Sequence, residues 1–207
     1  ISVLNGLFTA KSGTGDTEIP AGQLLEKNFY DQKANEISGT MLLDTKQLLG
    51  DAADQLSMLV MHSAIYTSLQ KLDLIDFLPG SEGGQPIPIY QGYRVVVDDG
   101  VPVTGTTPAT KVYTTYLFAR GSIGRSTGNP SQLTTFETAR DAAKGNDLVF
   151  TRRAFTMHPY GVSWTNADRE EGEITPTNTD LANTKNWKKV YEDKNIGIVA
   201  LNSKAIV

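Results

Sequence analysis

The chain has 207 residues, 19 basic against 23 acidic side chains for a net charge of −4, and no cysteine. Thiol nucleophiles, thiolate metal sites and disulfide frameworks are thereby excluded, and two histidines, His62 and His158, are few for a zinc or imidazole centre. A basic excess or stripe, the footprint of proteins that grip nucleic acid by neutralising phosphates, is missing from the sequence; Arg152-Arg153 and Lys188-Lys189 are isolated pairs.

Hydrophobic residues make up 39% and charged residues 20%, the balance of a folded domain. At this length a chain buries roughly 70% of its unfolded surface and needs no covalent staple. The longest apolar runs, residues 56–61 and 196–201, are far short of the ~18–20 residues of a membrane helix. The chain opens on Ile1 rather than Met, which reads as a piece of something longer.

Residues 1–8 (ISVLNGLF) carry a helical apolar stripe without a capping residue, as in the last turns of a helix. Residues 11–20 form a Gly/Thr/Asp-rich loop, and residues 24–30 hold a possible short helix. Residues 40–55 place Met41, Leu42, Thr45, Leu48, Leu49 and Ala52 on one helical face. A buried strand follows over 56–61, then a helix over 64–74 with Ser63 as its expected N-cap. Residues 79–88 (PGSEGGQPIP) read as a loop.

Beyond it the apolar period becomes two. Strands are expected over 89–97, 112–119, 148–157 and 196–201, the first two pairing with each other and 89–97 and 148–157 lying in the core sheet. Residues 121–130 read as a flexible tip, 168–173 as an acidic solvated loop, and 178–190 as short helical pieces. The class is α+β: two helices packed on a mainly antiparallel sheet, with long projecting loops.

Several residues invite a chemical reading. His62 and Ser63, with Asp98 or Asp99 as orienting acid, have the composition of a hydrolase triad, but no G-x-S-x-G elbow surrounds Ser63. Asp98-Asp99-Gly100 after a strand is first a turn signal, and His158 before Pro159 reads as a turn residue. The glycine-bearing segments 11–17 and 121–128 do not match the phosphate-cradling G-x-x-x-x-G-K-[ST] pattern. Asp168, Glu170, Glu171 and Glu173 form an acidic run suited at most to a weak cation site. No catalytic, cofactor or metal constellation emerges.

Five segments carry a resemblance: LLGDAADQLSMLVMHSAIYTSLQKLDLIDFLPGSEG (48–83), IPIYQGYRVVVDDGVPV (87–103), YTTYLFARGSIG (113–124), RRAFTMHPYGVSWT (152–165) and TPTNTDLANTKNWKKVYEDKNIGIVAL (175–201). In this order they resemble the major capsid (coat) proteins of tailed bacteriophages and prophages, which have the Hong Kong 97 fold. The resemblance implies a non-enzymatic shell subunit: 1–8 ending a spine helix, 9–39 connecting, 40–201 forming the axial and peripheral domain core, and 202–207 a tail. The arm, the extended E-loop and most of the spine helix would be missing from this chain.

The partners implied are further copies of the chain in hexamers and pentamers of an icosahedral virion, scaffolding and portal proteins, and enclosed double-stranded DNA. Assembly would take place in the bacterial host cytoplasm, without membrane or cofactor. Candidate inter-subunit residues lie at the loop tips: Gly80, Glu82, Gly83, Gln85, Thr106, Thr107, Arg120, Arg125 and Asn129. An encapsulin-like shell enclosing cargo protein, a module of a phage tail or head-completion complex, and the His62/Ser63/Asp98 hydrolase are the competing readings.

Overall fold

The computed structural model describes residues 1–8, 24–79, 86–107, 109–128, 133–170, 172 and 175–206. It divides into two compact units, Ile1–Ser122 with Gly161–Val207, and Ile123–Tyr160.

In the first unit, helix α1 (Ser2–Phe8) precedes strand β1 (Phe29–Glu36), α2 (Gly39–Gln47), β2 (Leu56–Met61) and α3 (Ser63–Lys71). Strands β3 (Asp76–Leu78), β4 (Ile87–Tyr90), β5 (Tyr93–Val97), β6 (Val103–Thr104) and β7 (Val112–Ala119) follow. The second unit holds β8 (Ile123–Gly128), β9 (Phe136–Asp141), β10 (Asn146–Thr151) and β11 (Ala154–Pro159). The chain then returns to the first unit through β12 (Val162–Trp164), α4 (Asn178–Ala182), β13 (Trp187–Lys189) and β14 (Ile198–Lys204).

An eight-stranded sheet in the order β1-β14-β7-β2-β5-β4-β3, with β6 beside β7, organises the first unit. The β1–β14 and β2–β5 pairs are parallel and the others antiparallel. Strands 89–97 and 112–119 were expected to pair; β2 lies between them instead. Central β7 and β14 are buried on both faces, which is why they read as nearly continuous apolar runs.

Successive residues of these strands enter two different cores. Tyr113, Leu117, Val199 and Leu201 join Leu42, Leu49, Ile65 and Leu69 from α2, α3 and their connection. Tyr116, Phe118, Ile198 and Ala200 join Leu4, Leu7 and Phe8 of α1, together with Leu25, Val162 and Trp187. The alternation of Cβ direction along a strand thus builds a three-layer body, with helices on both faces of the sheet.

Local chemistry explains where the expected elements shorten. The helix expected over 40–55 ends at Gln47, because Gly50 takes a left-handed φ of 55° and the chain continues as a 3-10 turn over Gly50–Gln55. The 89–97 strand is a hairpin: Gln91 and Gly92 both have positive φ, 49° and 86°, the type I′ geometry that folds β4 onto β5. The expected short helix over 24–30 is a single 3-10 turn, Glu26–Asn28, and residues 29–36 of the expected connecting segment form β1. Within 178–190, the helical pieces give way to β13 at Trp187. At the C-terminus, residues 202–204 continue β14 rather than starting a tail.

The second unit departs most from the sequence reading. Residues 148–157 do not form one core strand: Arg152 and Arg153 interrupt it, and its halves lie in separate two-stranded ribbons, β9–β10 and β8–β11. The expected tip over 121–130 is largely strand β8. Every residue of β8 and β10 is exposed, so no buried face disciplines their pattern.

Candidate inter-subunit surface

The β2–α3 junction answers the hydrolase reading. His62, not Ser63, caps α3, its Nδ1 accepting from the Ala64 N–H at 3.0 Å. Ser63 Oγ stands 3.4 Å from the same Nδ1, and Asp99 Oδ1 is 3.5 Å from it. A triad needs the serine and the acid on opposite ring nitrogens, so that one receives a proton while the other is held. Here both converge on one nitrogen that is already occupied as a cap.

Asp99 also accepts the Ser63 backbone N–H at 3.0 Å, and Ser63 hydrogen bonding holds its carboxyl below the ordinary carboxylate range. Asp98 turns elsewhere, its Oδ1 accepting the Gly100 N–H at 2.8 Å to close the turn after β5. His62, Ser63, Asp98 and Asp99 therefore tie a helix start to a turn.

Of the acidic run, Asp168 is tied by its side chain and Glu170 by its backbone N–H to the neighbouring Asp180, while Glu171 and Glu173 lie outside the described residues. Asp180 is 3% exposed and forms a capping box with Thr177, its carboxylate accepting the Thr177 N–H at 2.9 Å. It also accepts the Thr177 hydroxyl at 2.9 Å and the Glu170 N–H at 3.2 Å. Asp168 accepts from Asn183 Nδ2 at 2.9 Å and pairs with Lys185 at 3.4 Å, which lowers its pKa. Among the described residues no three His, Asp or Glu side chains gather to hold a metal ion.

The loop-tip candidates divide. Gly80, Glu82, Gly83, Gln85 and Asn129 lie outside the described residues. Thr106 is exposed beside Thr107, which is stitched to Thr110 by a hydroxyl–hydroxyl contact of 2.8 Å and by the Thr110 N–H to Thr107 carbonyl bond of 2.9 Å. The Arg120 side chain is exposed, its backbone N–H bonded to the Gln55 carbonyl at 3.3 Å. Arg125 lies in β8 of the second unit, not in an irregular tip.

That second unit carries a surface the sequence reading placed in the core. On one face of the β8–β11 ribbon, Phe155 pairs with Thr127, Met157 with Arg125 and Pro159 with Ile123. The Arg125 guanidinium lies 5.6 Å from the centre of the Phe155 ring. Phe155 is 61% and Met157 50% exposed. In the neighbouring ribbon Arg152 lies over Phe150 and pairs with Glu137 at 2.8 Å. Exposed apolar side chains beside arginines are the composition of an interface core, and the alternating pattern of 148–157 could have signalled it once burial was not assumed.

No protein-family profile matches the chain. A curated relative is 39% identical over 187 residues: the major capsid protein of Bacillus phage SPP1. The chain is homologous to a phage major capsid protein. The match takes in 86% of the chain and spans 56% of the length of that relative. A similar solved structure is the holo-SrpI encapsulin complex of Synechococcus elongatus PCC 7942, with a TM-score of 0.48 at 7% identity, covering 86% of this chain and 53% of that one.

Proposed function

We propose that the chain forms part of the wall of a phage head, self-associating head-to-tail into hexamers and pentamers that tile an icosahedral shell around double-stranded DNA. The observation that carries this reading is the 39% identity to a major capsid protein over 187 residues. Several features support it. A body with helices on both faces of its sheet suits a rigid wall element, and the exposed ribbons of the second unit suit contacts between copies. A closed shell holds because each subunit is engaged on several sides at once. Rings are built from heterologous contacts, in which two different patches of the same chain meet.

On this reading the protein is structural rather than catalytic, has the Hong Kong 97 architecture, and uses Thr106, Thr107, Arg120 and Arg125 at inter-subunit contacts. Gly80, Glu82, Gly83, Gln85 and Asn129 would join them. Scaffolding and portal proteins are its assembly partners in the host cytoplasm, and the virion is its destination. The net charge of −4 fits a wall that encloses DNA without gripping it.

Sedimentation velocity on nuclease-treated protein across a hundredfold concentration range tests the reading. Discrete fast species that grow with concentration are expected. A single 22.5 kDa species at every concentration would overturn it.

A further inference from the structure

The two outer edges of the eight-stranded sheet are unlike. Edge strand β1 carries Asp31, Lys33 and Glu36, with Lys33 paired to Asp31 at 2.8 Å, the charged guard that keeps an edge from pairing. Edge strand β3 is Asp76-Phe77-Leu78, and all three residues are exposed. Phe77 is 52% and Leu78 51% exposed, with Ile87 of β4 opposite Leu78. Among the described residues β3 pairs only with β4, leaving its other side open. Exposed apolar side chains gathered at an unguarded sheet edge are a docking site for another protein surface.

Charge says what fits there. Residues 123–160 hold five basic against three acidic side chains, leaving fourteen basic against twenty acidic in the rest of the chain. The second unit therefore carries a net charge of +2 and the rest of the chain −6. Asp73 and Asp76 flank the apolar edge, while Arg125 sits against Phe155 beside Met157 on the ribbon.

We propose that the Arg125–Phe155–Met157 face of the β8–β11 ribbon of one copy docks on the β3 edge of a second copy. Arg125 meets Asp76, and the ribbon's apolar side chains cover Leu78 and Ile87, which lie on the same face of the sheet as Asp76. The patches differ, so the contact is head-to-tail and leaves the pair with one free donor face on one copy and one free acceptor edge on the other. Exposed apolar area on both sides favours a protein occupant over nucleic acid, whose contacts are dominated by phosphate charge. The inference rests on the reading of the chain as a shell subunit and names the surfaces that join its copies.

Charge reversal tests it, with self-association followed by sedimentation velocity. Arg125→Glu and Asp76→Arg should each raise the concentration needed for association by about tenfold or more, since like charges then face each other in the contact. The Arg125→Glu/Asp76→Arg double variant should restore association to near wild type, an outcome that misfolding of either single variant cannot produce. Wild-type association that all three variants retain would overturn this contact while leaving the shell reading intact. Equal loss in the single and double variants would also overturn it. A wild-type protein that never associates would overturn the inference together with the shell reading. Unchanged association with loss of co-purified nucleic acid in Arg125→Glu would assign the face to nucleic acid instead.

Discussion

Asn28 is a fully buried amide whose Nδ2 donates to three backbone carbonyls, Asp193 at 2.8 Å, Ile196 at 3.0 Å and Ile198 at 3.1 Å. It fixes the path of the chain into β14, the strand between β1 and β7. Replacement by alanine removes all three bonds, leaving the Asp193 and Ile196 carbonyls only their backbone donors, the Ile196 and Ile198 N–H groups. Asn28→Ala should therefore lower the unfolding free energy by about 1–3 kcal/mol in urea titrations. His62 works at the same scale with a smaller effect. His62→Ala removes the α3 cap and should cost about 1 kcal/mol, with association of properly folded protein unchanged. A triad histidine would instead announce itself in a hydrolytic assay.

Asp180 supplies a pH dependence whose sign follows from its partners. The Thr177 backbone N–H, aided by the Thr177 hydroxyl and the Glu170 N–H, holds the folded-state pKa below the ordinary carboxylate value. A depressed folded pKa gives stabilisation that is present above the unfolded value and lost as pH falls through the folded one. Thermal midpoints should therefore drop on acidification below about pH 4. Asp180→Asn should be less stable at neutral pH and show a shallower acid decline.

At the scale of elements, the body is held by strands that serve two cores. Leu117 in the centre of β7 is fully buried, and Leu117→Ala should cost about 2–5 kcal/mol by calorimetry or urea titration. Gly6 permits the close approach of α1: a Cβ there would meet the Leu181 carbonyl oxygen and lie 2.7 Å from Trp187 Nε1, which itself donates to that carbonyl. A Gly6→Val chain should lose the α1 packing, read as rapid hydrogen exchange over residues 2–8.

What the sequence made legible follows the same division. β2, β7, β14 and α3 were readable because burial imposes a continuous or periodic apolar pattern on them. β1 was not, because a solvated edge strand can be polar, and nothing in FYDQKANE has to alternate. The β4–β5 hairpin hid behind Gln91-Gly92, where glutamine is an uncommon residue for positive φ. The ribbons were mistaken for core because Phe155 and Met157 look buried to any reading by composition. Their exposure became visible only with the register. Arg125 was named as a contact from its loop-like neighbourhood, and the ring it lies against was beyond reach of local sequence.

At the scale of the whole molecule, the charge is divided rather than spread, with the second unit positive and the rest negative. Contacts that join them between copies should weaken as salt is raised from 0.05 to 0.5 M, within the range where the Debye length shrinks well below 10 Å. The central claim is that copies of this chain tile a closed shell. Negative-stain electron microscopy of the protein produced at high level is its most direct test. The account predicts closed shells, or rings of six and five subunits. Fields containing only monomers or a small complex of fixed number would contradict it.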